Sequence, residues 1–197
     1  MLVLYHSPNS RSSAVIWLLE ELGASYKKRI VSIRHDDGSG ARDPANPHPH
    51  GKVPLLERKG RHVFEFAAIA LYLTDLFPEA GCGPGRDDPS RGEYLSWLAW
   101  RQGVLEPSMI MRRLKVPYAY GAMGWAPSDE VERVINGLLK RRRFVLGDTF
   151  SAADIAVGAV VRIMMKKKVM NETPVLREYV DRLTIRPAFL RALESDS

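Results

Sequence analysis

Two short segments in the first third of the chain contain residue types suited to binding a peptide-like ligand. The first, Gly51-Lys52-Val53-Pro54, places a proline directly before the apolar pair Leu55-Leu56. Because proline cannot donate to a strand ladder, we expect Pro54 at the first position of a strand or in a cis peptide bond. A cis bond would leave the main-chain N–H and C=O of Val53 facing outward, where a peptide ligand could pair with them as an added strand.

The second segment carries a carboxylate at the point where the pattern changes from strand to helix. Glu65 follows Val63-Phe64 and precedes the helix-like run Phe66–Leu76. From this position Glu65 can reach the ammonium group of a ligand, while N–H groups at the helix N-terminus bind the ligand's carboxylate. Together the two segments predict a site for a peptide that carries both charges at one end.

Runs of strand-like composition and of helical spacing surround these two segments. In chain order they are a strand at Leu2–Tyr5, a helix between Ser10 and Leu22, a strand at Tyr26–Ile33, a hairpin of Val53–Leu56 and His62–Phe64 around Lys59-Gly60, and a helix at Phe66–Leu76. The basic residues of the second strand predict that it lies at a sheet edge. The order βαβ followed by ββα is the thioredoxin arrangement, in which a right-handed crossover makes the first two strands parallel.

The chain beyond residue 86 has a helical pattern throughout. A Gly- and Pro-rich stretch, Pro78–Pro89, separates it from the first half and is typical of a linker. The predicted helices are Gly92–Leu114 with a kink at Pro107, Asp129–Val145 capped by Ser128, Ile155–Met165 behind a capping box of Ser151 and Asp154, Val175–Leu183, and Pro187–Leu193. We therefore predict an α/β thioredoxin-like domain over residues 1–78, a linker over 79–86 and an all-α helical bundle over 87–197.

Composition limits the classes of protein that fit this chain. It has 197 residues, of which 45% are hydrophobic and 26% charged, as in an ordinary globular protein. No run approaches the roughly 18 apolar residues that span a bilayer, and Met1–Tyr5 is too short for the apolar part of a signal peptide. A single cysteine, Cys82, excludes an intramolecular disulfide and suits a reducing compartment. We expect a cytoplasmic protein with no membrane partner.

The net charge of +6 comes largely from two clusters, Lys140–Arg143 and Lys166–Lys168. Each cluster borders an apolar helical run and lacks the stacking aromatic residues of single-strand binders. We interpret both as solvated helix ends and expect no nucleic-acid partner, with salt-dependent nucleic-acid binding as the alternative. His48 and His50 lack nearby cysteines or carboxylates at ligand spacing, so we interpret them as part of a solvated loop and predict no metal site.

Four segments, in this order and spacing, resemble the cytosolic glutathione transferase superfamily of bacterial and fungal type. They are Ser7-Pro8-Asn9-Ser10-Arg11 leading into Trp17–Gly23, Gly51–Pro54, Glu65–Ile69, and Phe150–Ile155. The resemblance implies a thioredoxin-like domain followed by a helical domain, and a cytoplasmic homodimer that acts in detoxification. It also implies glutathione as co-substrate, a small electrophile as second substrate, and no metal or prosthetic group.

The resemblance also suggests roles at the start of the first helix. A transferase acting on glutathione needs a group that favours thiolate over thiol, because only the thiolate attacks. Ser-based sites of the family point to Ser10, whereas sites built on a Thr/Ser-Pro-Asn segment point to Ser7 and Asn9. Capping of the helix is the structural alternative for these residues. Arg11 either lowers the pKa of the thiol or is an exposed charge at the helix start.

Roles in binding glutathione follow from the same resemblance. Val53 would align the peptide backbone, Pro54 would shape it, and Lys52 would approach the glycine carboxylate. Glu65 and the N–H of Phe66 would hold the γ-glutamyl end. The family normally has a serine after this glutamate, and Phe66 replaces it here. We expect the aromatic ring to line the pocket and to weaken or alter glutathione binding.

The predicted function is conjugation of the glutathione thiolate to small electrophilic, mostly apolar substrates. Glutathione-dependent disulfide reduction or peroxidase activity, with Ser7 and Asn9 as the leading residues, is an alternative from the same fold. A further alternative is a non-enzymatic binding or regulatory protein in which Phe66 closes the pocket.

Overall fold

The computed structural model describes all residues from Met1 to Ser197. Contacts divide the chain into two compact units, residues 1–80 with 187–197, and residues 81–186. The last helix therefore belongs to the first unit, and the prediction that it completes the helical bundle is wrong. The physical reason is its apolar face, which packs on the first helix, where the ring of Phe189 lies 4.9 Å from that of Trp17.

The first unit contains a four-stranded sheet and three α-helices. The elements are β1 at Leu2–His6, α1 at Ser13–Glu21, β2 at Tyr26–Ile30, β3 at Leu55–Arg58, β4 at Arg61–Phe64, α2 at Phe66–Leu76, a short 3₁₀ turn at Pro78–Ala80, and the helix at Pro187–Glu194. The strand order is β2-β1-β3-β4, with β1 parallel to β2 and antiparallel to β3. This is the predicted thioredoxin-like arrangement, with β2 at the sheet edge.

Alternation along β1 places its side chains on the two faces of the sheet. Leu4 and His6 lie on one face and are fully buried. Val3 and Tyr5 lie on the other face, in an apolar cluster with Val31, Val53, Leu55 and Ile33. The two residues that end β1 therefore point to opposite sides of the sheet.

The second unit is helical throughout. The helices are α3 at Arg91–Trp100, α4 at Glu106–Arg113, α5 at Ser128–Leu139, α6 at Ala152–Lys166 and α7 at Pro174–Thr184, so that the helix at Pro187–Glu194 is α8. A π-helical turn at Arg101–Leu105 separates α3 from α4. Pro107, in the first turn of α4, has no N–H to donate to the carbonyl four residues earlier, which explains the interruption predicted there.

The N-cap predicted from the sequence is wrong for α5 and correct for α6. Ser128 is the first helical residue of α5 and not its cap, so that prediction is wrong; its hydroxyl accepts a hydrogen bond from Arg112 Nε at 2.7 Å. The capping box of Ser151 and Asp154 at α6 is confirmed. The two basic clusters begin at the C-terminal ends of α5 and α6.

None of the helices combines the length and apolar character that crossing a membrane requires.

Candidate functional site

The ends of three neighbouring strands, β1, β3 and β4, bring the predicted binding segments to the same end of the sheet. In the ladder, Tyr5 of β1 pairs with Leu55 of β3, and Leu55 pairs with Phe64 of β4. Each predicted segment continues the chain from this row of residues. Ser7 follows β1, Val53-Pro54 precedes β3, and Glu65 follows β4. The sheet register therefore aligns segments that are up to 58 positions apart in the sequence, counted from Ser7 to Glu65.

The segment before β3 has the predicted backbone conformation. The Val53-Pro54 peptide bond is cis. Val53 is buried and Lys52 is exposed, and the carbonyl of Lys52 accepts a hydrogen bond from the amide of Asn46 at 3.0 Å. Because Asn46 is itself buried, this contact fixes the entry of the chain into β3.

Glu65 has an unusual backbone conformation at the start of α2. Its φ is 67° and its ψ is 130°, a region that residues other than glycine rarely occupy. The side chain is exposed and does not cap the helix. The carbonyl of Glu65 accepts the first helical hydrogen bond, from the N–H of Ile69 at 3.0 Å. The helix N-terminus is therefore set beside an exposed carboxylate.

The turn from β1 into α1 is held by serine hydroxyls. Ser10 Oγ donates to the carbonyl of Ser7 at 2.6 Å and lies 2.7 Å from Ser12 Oγ. The N–H of Ser12 donates to Ser10 Oγ at 3.2 Å. Asn9 adopts the left-handed conformation with φ of 54°, which asparagine tolerates better than most residues. Ser10 is half-buried, Ser7 is buried, and Asn9 and Arg11 are exposed.

Comparisons with known proteins show which sequences this chain resembles. A family model described as glutathione S-transferase, N-terminal domain, matches residues 7–76. An uncharacterized GST-like protein of Streptococcus mutans is 29% identical over 96% of this chain and 80% of its own length. The disulfide-bond oxidoreductase YghU of Escherichia coli is 28% identical over 79% of this chain and 58% of its own length.

Solved structures share the whole architecture. A glutathione transferase from Methylococcus capsulatus aligns with a TM-score of 0.78 at 26% identity, covering 100% of this chain and 98% of its own. Residues 7–76 belong to the glutathione S-transferase N-terminal domain family, and the chain shares the fold of the glutathione transferase from Methylococcus capsulatus. A sphingomonad glutathione S-transferase complexed with glutathione shares the fold, with a TM-score of 0.78 at 24% identity over 98% of both chains.

The position of Phe66 corrects one expectation about this candidate site. The side chain is only 1% exposed, so the prediction that its ring lines the open pocket is wrong. Phe66 is the first residue of α2, and its ring turns inward because burying an aromatic side chain is strongly favourable. The replacement of serine therefore removes a hydroxyl from the helix start without placing a ring at the surface.

Tyr5 faces away from the serine cluster formed by Ser10 and Ser12. Its hydroxyl donates to Glu57 at 3.0 Å and accepts from Arg29 at 3.2 Å. His6, the next residue, points to the opposite face and contacts Ser12. Tyr5 is thus a packed residue of the strand.

Two residues beside this turn, His6 and Asp196, were not predicted as site residues from the sequence. Nδ1 of His6 lies 2.7 Å from Ser12 Oγ, and Nε2 lies 3.4 Å from the main-chain oxygen of Asp196. His6 could have been noticed as a polar residue at an inward position of an apolar strand. Asp196 gives no such signal, because it lies 190 positions away in the sequence.

The prediction for the histidine loop is wrong for one of its two residues. His48 is buried, with its ring packed 5.2 Å from that of Phe64, and burial lowers its pKa. Its Nδ1 accepts the N–H of His50 at 3.1 Å, which ties down the loop before Gly51. Only His50 is exposed, as expected for a solvated loop.

Proposed function

We propose that this protein is a glutathione transferase that conjugates the glutathione thiolate to small electrophilic, mostly apolar substrates. The observation that supports the proposal is the alignment of Tyr5, Leu55 and Phe64 at three strand ends, next to which the chain carries the segments with Ser10, Val53 and Glu65. These residues offer a hydroxyl, a main-chain strand edge and a carboxylate, the three groups that a γ-linked thiol tripeptide needs.

The binding roles follow from the chemistry of each group. The main chain of Val53 pairs with the cysteinyl backbone of glutathione. The exposed carboxylate of Glu65 binds the ammonium group, and the N–H of Phe66 at the positive end of α2 binds the γ-glutamyl carboxylate. Lys52 is exposed beside Val53 and provides a positive charge for the glycine carboxylate. Pro54 shapes the backbone that Val53 presents.

The chemical step requires a stabilised thiolate. The hydroxyl of Ser10 donates a hydrogen bond to the thiolate sulfur, and exposed Arg11 adds positive potential near it. The sulfur lone pair forms a bond to the electrophilic carbon, and the leaving group departs with the electrons of the broken bond. Glutathione complexed with the structurally similar sphingomonad enzyme supports glutathione as the ligand here. We further propose a cytoplasmic homodimer that acts in detoxification.

Glutathione-dependent disulfide reduction is the second candidate. The likeness to YghU, a disulfide-bond oxidoreductase, favours it. In this reaction the glutathione thiolate attacks one sulfur of a mixed disulfide, and the other sulfur leaves as a thiolate. Ser7 and Asn9 would be the residues that support the sulfur, with the exposed side-chain amide of Asn9 as the hydrogen-bond donor.

Calorimetric titration with glutathione tests the proposal. The turnover of an aryl halide and of a mixed disulfide is then measured. We expect binding and preferential turnover of the halide. Glu65→Gln should weaken binding by at least tenfold, since it removes the charge that pairs with the ammonium group. The matched control is Glu79→Gln, an exposed acid outside the site. Binding without turnover of either substrate would indicate a non-enzymatic role, and no binding would overturn the proposal.

A further inference from the structure

A row of side chains leads inward from Ser10 and ends at a carboxylate. Ser10 Oγ lies 2.7 Å from Ser12 Oγ, which lies 2.7 Å from Nδ1 of His6. Nε2 of His6 faces Asp196, with the main-chain oxygen at 3.4 Å and the carboxylate oxygen Oδ1 at 3.6 Å. Ser12 and His6 are fully buried, whereas Ser10 is half-buried. A ligand can therefore reach this row through Ser10.

The inner partners determine where the protons lie. Both groups that face Nε2 are acceptors, so Nε2 carries the proton of a neutral His6 ring, and Nδ1 is an acceptor. Burial lowers the pKa of His6, Lys28 adds to this effect, and Asp196 opposes it. Ser12 Oγ lies 2.7 Å from Nδ1 and 3.3 Å from the carbonyl oxygen of Ser7, and it donates its only hydroxyl proton to the nearer acceptor, Nδ1. Ser10 donates either to Ser12 or to the carbonyl of Ser7.

Asp196 is placed to stabilise a positive charge on His6. Its oxygen Oδ2 accepts the N–H of Asn9 at 3.0 Å, but the buried Oδ1 has no hydrogen-bond partner. A buried carboxylate oxygen without a donor is costly. An imidazolium at His6 would supply the missing opposite charge. The segment 195–197 is itself held by Lys28, whose ammonium group donates to the main-chain oxygens of Ser195 and Ser197.

We propose that Ser10 and Ser12 relay the thiol proton of bound glutathione to Nδ1 of His6, an inference that rests on the function proposed above. The S–H bond breaks and its proton passes to Ser10 Oγ. The original Ser10 proton passes to Ser12 Oγ, and the original Ser12 proton passes to Nδ1. The products are a thiolate and an imidazolium paired with Asp196.

This transfer also reverses the direction of every hydrogen bond in the row. His6 now donates to Ser12, Ser12 donates to Ser10, and Ser10 donates to the thiolate sulfur. An unperturbed thiol holds its proton more tightly than an imidazole does. The charge pair with Asp196 and the hydrogen bond from Ser10 to the thiolate offset that difference. Only Ser10 touches the sulfur, so Ser12 and His6 act as positioning residues.

The test follows the ring nitrogens of His6 by NMR in protein labelled with ¹⁵N-histidine. The pH titration is run without ligand, with glutathione, and with S-methylglutathione, which has no thiol proton. We expect glutathione to raise the pH midpoint of His6 by about one unit, as an added charge partner does. S-methylglutathione should leave the midpoint unchanged.

Two serine variants show whether the relay carries this response. In Ser12→Ala the effect of glutathione on His6 should disappear. The matched control is Ser13→Ala, whose buried hydroxyl has no hydrogen-bond partner, and it should respond as the wild type does. If Ser12→Ala does not fold, Ser10→Ala interrupts the row at its accessible end and has the same expected result.

Calorimetry on the same samples separates the relay from the proposed function. Absence of glutathione binding overturns both. Binding of glutathione without a response of His6, or an equal response to S-methylglutathione, overturns the relay alone. A response that persists in the interrupted variant also overturns it, since the proton would then reach His6 by another route.

Discussion

The helices α2 and α6 begin with different N-cap residues and different hydrogen bonds. At α6, Ser151 accepts the N–H of Ala153 at 3.2 Å, and Asp154 accepts the N–H of Ser151 at 2.9 Å. At α2, Glu65 provides no side-chain cap and has a φ of 67°. A cap stabilises a helix by about 1 kcal/mol, whereas a sparsely populated backbone conformation costs about 1–3 kcal/mol.

This difference separates a helix start that stabilises the fold from one suited to a ligand. The first turn of α6 is buried, and its donors have protein acceptors. The first turn of α2 adjoins an exposed carboxylate, and the strain at Glu65 is retained where a ligand's charges would be bound. Substitutions at the start of α6 should therefore change only the free energy of unfolding, whereas substitutions at the start of α2 should also change the affinity for glutathione.

The largest expected effect is that of Asp154→Ala on stability. The buried carboxylate accepts hydrogen bonds from the N–H of Val145 at 2.8 Å, the N–H of Ser151 at 2.9 Å and the hydroxyl of Tyr179 at 3.0 Å. Each buried donor left without an acceptor costs about 1–3 kcal/mol. Asp154→Ala should therefore lower the free energy of unfolding by about 4 kcal/mol or more.

Urea unfolding followed by circular dichroism measures this loss, with the midpoint shifted and the slope unchanged. The control is Asp148→Ala, which removes an exposed carboxylate close by in the sequence and should leave the midpoint in place. A midpoint for Asp154→Ala close to that of the wild type would mean that the capping box does not stabilise this helix.

A second pair of substitutions separates stability from affinity at α2. Phe66→Ser and Phe66→Ala both remove a ring that is 1% exposed, so each should lower the free energy of unfolding by about 3 kcal/mol. Only the serine variant restores a hydroxyl at the helix start. We expect it to bind glutathione about threefold to tenfold more tightly than the alanine variant, the value of one hydrogen bond.

Calorimetric titration of the two variants measures the ratio of their affinities for glutathione. Both variants lack the ring of Phe66, so the cavity it leaves does not affect this ratio. Equal affinities would show that the hydroxyl is not what this site lacks. If the wild type instead binds glutathione more tightly than both variants, the buried ring of Phe66 contributes to the shape of the site.

The pH dependence of stability provides a smaller test of the α6 start. Burial raises the pKa of Asp154 from 3.8 to about 6, against the opposing effect of its hydrogen-bond donors. The folded state then holds a proton that the unfolded state releases, so the free energy of unfolding falls as pH rises through this window. The fall is at most about 3 kcal/mol.

Unfolding of the wild type and of Asp154→Asn, measured from below pH 3.8 to above pH 6, isolates this contribution. The variant is less stable throughout but lacks the titrating group, so the stability difference between the two proteins should narrow as pH rises. A constant difference would place the pKa of Asp154 near its ordinary value.

The sequence predicted the features that depend on short segments. The order of strands, the helix start at Phe66 and the capping box at Ser151 follow from local composition and spacing. The pairing of Leu55 with Phe64, which brings the segments before β3 and after β4 to the same end of the hairpin, also follows from the predicted hairpin. These features need no knowledge of distant contacts.

Other features depend on packing between segments far apart in the chain. The amphipathic pattern of α8 indicates a buried face but not that α1 covers it. The ring of Phe66 turns inward because the core beneath α2 accepts it, which its own position in the sequence does not specify. The contact of His6 with Asp196 likewise arises from the docking of α8.

The smallest expected effect on stability comes from relieving the strain at Glu65. Glycine adopts positive φ without steric cost, so Glu65→Gly should raise the free energy of unfolding by about 1 kcal/mol. The same change removes the carboxylate, and the affinity for glutathione should fall by at least tenfold. The matched control is Lys59→Gly in the β3–β4 turn, where φ is 51°. It should stabilise the protein similarly and leave the affinity unchanged.

Thermal unfolding and calorimetric titration of both variants complete the comparison between the two helix starts. If Glu65→Gly gains stability and loses affinity while Lys59→Gly gains stability alone, the strain at α2 is tied to the ligand. Loss of stability in Glu65→Gly would contradict this, because the glutamate side chain would then stabilise α2 as Asp154 stabilises α6. The two helix starts would then both stabilise the fold, although their backbone conformations differ.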